Sequence, residues 1–101
     1  MLVQMVINKI NTKEAEEFLM ELSEESIKLK IFQEELESIN TNLRDMESEL
    51  NLGKISKKIY KEFKSILEKE KKDLETKTKN VTERILTISK KLYDLINASK
   101  V

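Results

Sequence analysis

The side chains able to do chemistry in this chain are carboxylates and amines. Glu34, Glu35 and Glu37, and further on Glu47 and Glu49, place carboxylates close enough along the chain to serve as metal ligands or as a hydrolytic acid–base pair. Neither use has the company it needs. There is no histidine, so the Glu-x-x-His pairs of a helical di-iron site are missing. The glycine-centred calcium loop is missing as well. There is no cysteine, which removes thiol nucleophiles, thiolate ligands and disulfides together. The carboxylates therefore read as solvated helix faces. The chain is expected to be no enzyme, and to need no cofactor and no metal.

The amines cluster twice. Lys54, Lys57, Lys58, Lys61 and Lys64 form one run, and Lys69, Lys71, Lys72, Lys77 and Lys79 a second. Such a run could meet phosphate, an anionic lipid surface or an acidic protein. Nucleic acid is disfavoured by a net charge of zero, by only two arginines and by the lack of an aromatic stacking motif. The competing use is internal. Residues 1–52 carry five basic side chains against twelve acidic ones, a net −7, and residues 53–101 carry fourteen against seven, a net +7. Opposite segments attract and like segments repel, so the acidic half is set to lie along the basic half. That explains the second cluster better than a ligand does; at the first run the two explanations stand level.

The elements that carry these charges are legible from the apolar residues. Ala15, Leu22, Leu29, Leu36, Leu43 and Leu50 fall seven apart, and Phe18, Glu25, Phe32, Ile39 and Met46 follow the first five by three. These are the two seam rows of a coiled coil over five heptads. After the break the ladder resumes with Tyr60, Leu67, Leu74, Val81, Ile88 and Leu95, accompanied by Lys64, Lys71, Thr78, Ile85 and Leu92. Glu68 to Lys72 and Glu75 to Lys79 add favourable i,i+4 pairs, each about 0.2–0.5 kcal/mol. Between the ladders lies Gly53, the only glycine of a chain without proline. Glycine can take the left-handed conformation that ends a helix. Ser56 can cap the next helix, with Ile55 and Tyr60 as a hydrophobic staple. Asn11 with Glu14 could cap the first. The expected organisation is a single helical-hairpin domain over 1–101: an apolar arm at 1–10, an acidic helix at 11–52, a turn at 53–56 and a basic helix at 57–98.

The two ladders fit each other. Residues paired across an antiparallel hairpin have numbers with a constant sum, and each seam pair here adds to 110, from Ala15 with Leu95 to Leu50 with Tyr60. The midpoint is Ile55, inside the expected turn. The polar seam residues Glu25, Lys64, Lys71 and Thr78 have two readings. Glu25 among apolar neighbours could be a chemically useful carboxylate; the stronger reading is a register-setting residue that turns toward Lys28 or Arg84. Lysine stems pack on a seam while the ammonium reaches water. Lys64 opposite Met46 is a poor layer, and Phe63 is the expected substitute there.

The fold class is thus all-α, a long antiparallel two-helix coiled-coil hairpin. Apolar residues off the seam call for cover: Leu19, Met20, Ile27 and Ile31 in the acidic helix, Ile59, Phe63, Ile66, Leu86, Tyr93 and Ile96 in the basic one, and Val3, Val6, Ile7 and Ile10 in the arm. A second copy would provide it, giving a four-helix bundle, with a homodimer favoured. The expected role is structural or adaptor-like, through self-association and helix-mediated protein binding. The alternatives are a chaperone-like or regulatory binder of a partner protein, and nucleic-acid or anionic-membrane binding at the basic turn. The opening apolar run is too short to span a bilayer and lacks a basic start, so neither a transmembrane segment nor a cleaved signal is expected. The absence of cysteine suits a cytoplasmic location.

Overall fold

The structure, a computed structural model, describes residues 12–98. Two helices make up nearly all of it: α1, Thr12–Asn51, and α2, Lys57–Ala98. The Asn11 cap and the arm at 1–10 lie outside the described residues. By internal contacts the chain divides into two compact units. The turn unit is Lys30–Lys79, and the terminal unit joins the described residues up to Leu29 to those from Asn80 onward.

The turn unit is a helical hairpin, and its connection is built by two termination devices. At the end of α1 the Leu52 N–H makes the last helical bond, donating to Ser48 O at 3.0 Å. Gly53 then turns to φ +74°, its N–H donates to Leu50 O at 3.0 Å, and the Lys54 N–H donates to Glu49 O at 2.9 Å. This pair of bonds, six-to-one and five-to-two, is the Schellman arrangement, and it occupies carbonyls that the helix end would leave bare. At the start of α2 the Ser56 Oγ accepts from Ile59 N–H at 3.2 Å, while Ser56 O takes the first helical bond from Tyr60 N–H at 3.0 Å. Ser56 is therefore a true N-cap. Ile55 and Tyr60, on either side of it, are both half-buried.

Burial follows the heptads in both units. In the terminal unit Ala15, Phe18, Leu22, Glu25 and Leu29 on α1 are half-buried, as are Ile85, Leu92 and Leu95 on α2, while Ile88 is buried and Val81 fully so. In the turn unit Phe32, Leu36, Leu43, Met46 and Leu50 are half-buried and Ile39 is buried; Leu74 is buried on the opposite helix, with Tyr60, Lys64, Leu67, Lys71 and Thr78 half-buried. All the described residues between the seam rows of α1 are exposed. Two helices in contact can hide only one stripe each, which is why most seam residues stop at half burial. The cross-helix contacts keep the antiparallel register: Glu25 meets Arg84 in the terminal unit, and Lys77 lies over the Phe32 ring in the turn unit.

The layer beside the turn differs from the sequence expectation. Lys64, not Phe63, occupies the seam: Lys64 is half-buried and Phe63 is 52% exposed. The lysine stem covers the seam, and its Nζ stands 5.6 Å from the Tyr60 ring centroid and 3.9 Å from Glu68 Oε1. An amphipathic side chain can serve the seam and the solvent at once, whereas moving Phe63 inward would break the heptad phase.

Candidate interaction surfaces

The polar seam position Glu25 is resolved by geometry. Its Oε1 accepts a hydrogen bond from Lys28 Nζ at 3.2 Å. Its Oε2 stands 3.2 Å from Arg84 Nε, an ion pair by distance whose angle falls outside hydrogen-bond alignment. The carboxylate side chain is 12% exposed, while Lys28 and Arg84 are each more than half exposed. Glu25 thus bends from the seam toward two cations, one on its own helix and one on the other, and so fills a structural role.

The acidic clusters Glu34, Glu35, Glu37, Glu47 and Glu49 are all exposed. Among the described residues no group of three or more acidic side chains is placed to hold a metal ion. An open groove of about 700 Å³ in the turn unit is lined by Leu36, Leu43, Tyr60, Glu47, Lys64 and Glu68 among others. It offers apolar lining and mixed charge, without a nucleophile beside a base.

The basic run at the turn stands in solvent. Lys54, Lys57, Lys58 and Lys61 are exposed, and among the described residues none has a carboxylate within ion-pair distance. Lys57 and Lys58 also occupy the first turn of α2, which contains no acidic residue, and the last turn of α1 contains no basic one. Helix dipoles favour the reverse on both counts, by about 0.3–1 kcal/mol per charge. Lys57 and Lys58 therefore gain nothing from the dipole of α2.

Exposed large apolar side chains form the other candidate surface. In the turn unit they are Ile31, Leu52, Ile59, Phe63 and Ile66; in the terminal unit they are Leu19, Met20, Ile27, Leu86 and Tyr93. Ile96, expected among them, is half-buried. Val3, Val6, Ile7 and Ile10 lie outside the described residues. Leu52 is the most exposed at 68% and is not singled out by periodicity, because it sits past the last seam residue at the helix end. Ile59, Phe63 and Ile66 follow i, i+4, i+7 spacing and share one flank of α2. Among the described residues no helix is long and apolar enough to cross a membrane. Comparison with protein-family models, curated proteins and solved structures finds no match for this chain.

Proposed function

We propose that this chain is a non-enzymatic coiled-coil module that works by self-association and by binding partner helices. The observation that carries this reading is the set of ten large apolar side chains left 44–68% exposed outside a seam that is otherwise in order. Scattered exposed apolar residues are ordinary on a protein surface. Here all but Leu52 lie on the helices, where Met20, Ile27 and Ile31, and Ile59, Phe63 and Ile66, recur at helical spacing, the pattern by which one helix is recognised by another. Sedimentation equilibrium tests the reading. A mass above 11.9 kDa that depends on concentration supports it, and a monomer at all workable concentrations refutes it.

A second reading draws on the basic turn. Four exposed lysines without acidic partners, two of them against the helix dipole, favour an anionic partner that would relieve both defects. Titration with anionic vesicles or a nucleic-acid duplex at low salt would show affinity that falls steeply as salt rises; no binding at low salt removes this reading.

A further inference from the structure

The terminal unit has two sides of opposite character. On the side toward which Glu25 bends, the rows flanking the seam hold Glu17, Glu21, Glu24 and Lys28 on α1 and Arg84 and Lys91 on α2. Lys28 and Arg84 converge there on Glu25, and Glu14, Lys91 and Asp94 line a common groove. On the other side the equivalent rows present Leu19, Ser23 and Ser26 on α1 and Leu86, Ser89 and Tyr93 on α2, all exposed. Among the described residues of the unit, Glu16 is the one charge in these rows. In a chain with 38% charged residues, this side carries well under its share of charge.

We propose that this side, with Glu16 as its single charge, is where a second copy of the chain docks, with α1 of each copy lying along α2 of the other. The inference rests on the self-association reading and adds the surface and the arrangement. A charged surface docked here would lose water without gaining a partner, whereas the same side of a second copy brings in no charge but Glu16. The serines let helices approach closely, and Leu19, Leu86 and Tyr93 supply the apolar area. Charge then selects the arrangement. Residues 12–29 of α1 carry two lysines against six glutamates, a net −4, and residues 80–98 of α2 carry three basic against two acidic side chains, a net +1. Identical sides can meet about a twofold axis with α1 on α1 or with α1 on α2, and only the second puts acidic helix on basic helix. It also repeats between copies the register found within one: Ser23 comes level with Leu86 of the second copy, and Glu16 comes within a turn of its Lys90.

The test uses the full chain, which has no cysteine of its own. Leu86→Glu with Tyr93→Glu is expected to weaken dimerisation by about a hundredfold or more at unchanged helicity, because two charges per copy would be buried. Phe63→Glu, on the turn unit, is expected to leave the dimer intact. In a mixture of two singly substituted chains under mild oxidant, Ser23→Cys is expected to link to Leu86→Cys, while Ser23→Cys alone stays unlinked. A wild-type chain that is monomeric throughout overturns the self-association reading and this inference with it. A wild-type oligomer that survives the double substitution, or that links Ser23→Cys to itself, overturns this inference alone.

Discussion

Replacing Glu25 by leucine should stabilise the protein. Glu25 occupies a seam position opposite Ile85, between the Leu22/Ile88 and Leu29/Val81 layers, and its side chain is 12% exposed. One carboxylate oxygen has an aligned donor, Lys28, and the other has only the misaligned Arg84 guanidinium at 3.2 Å. Desolvation of that carboxylate is therefore incompletely compensated. Burying a leucine side chain contributes about 1.5–3 kcal/mol. The two released cations are more than half exposed, so each ion pair lost costs about 0–1 kcal/mol. The expected net gain is about 1–2 kcal/mol, at the lower end of the range for replacing a buried ion pair by an apolar layer. Urea denaturation followed by helical circular dichroism should show the midpoint rise by about 1 M, since small proteins lose about 1–3 kcal/mol per molar urea. Measurement at two protein concentrations separates this gain from any change in association. Glu25→Gln is the control: it keeps the size but faces an amide toward Arg84, and should lose about 1 kcal/mol. A Glu25→Leu protein that is less stable than wild type by about 1 kcal/mol or more would refute the reasoning, and would mean that the Lys28–Glu25–Arg84 cluster contributes more than its exposure allows.

Four further substitutions probe the seam and the turn. Val81→Ala removes two methyl groups from a side chain that is 1% exposed, and should cost about 2 kcal/mol in the same urea assay, from about 0.8 kcal/mol per buried methylene plus a cavity contribution. Gly53→Ala meets no neighbouring atom within 4 Å, yet must hold φ at +74°, so its expected cost of about 1–2 kcal/mol comes from the backbone alone; an unchanged midpoint would show that the turn can move to another conformation. Lys57→Glu and Lys58→Glu should each raise thermal stability by about 0.3–1 kcal/mol at low salt, an effect that added salt should erase, while any anion binding at the turn should weaken.

Much of the hairpin is legible in the sequence for identifiable reasons. Ala15 to Leu50 and Tyr60 to Leu95 repeat at the spacing of one helix face, and a side chain's burial in a two-helix contact is decided by that spacing. Gly53 and Ser56 act through their own backbone and hydroxyl, over four or five residues, so their roles need no tertiary information. Helix bounds are legible to within a residue at the turn for the same reason. Preferring Phe63 to Lys64 for the seam is wrong because it weighs hydrophobicity above phase; the backbone holds the phase, and a lysine stem is apolar enough to comply. Leu52 escapes a reading by periodicity because a residue at a helix end belongs to no ladder, although its side chain is the most exposed of the large apolar ones.

The sequence by itself determined the two helices, their break, their antiparallel register and the opposite charges of the two halves, because each is set by residue types at short, regular spacing. Tertiary structure decided what no spacing states. Pairing α1 with α2 brought Arg84 to Glu25 and turned one flank of the terminal unit into a charged cluster, leaving Glu16 as the one charge among the described residues of the other flank. Individual apolar residues were visible in the chain, but a shared side exists only once two helices are held face to face, since antiparallel packing determines which flank of one stands beside which flank of the other.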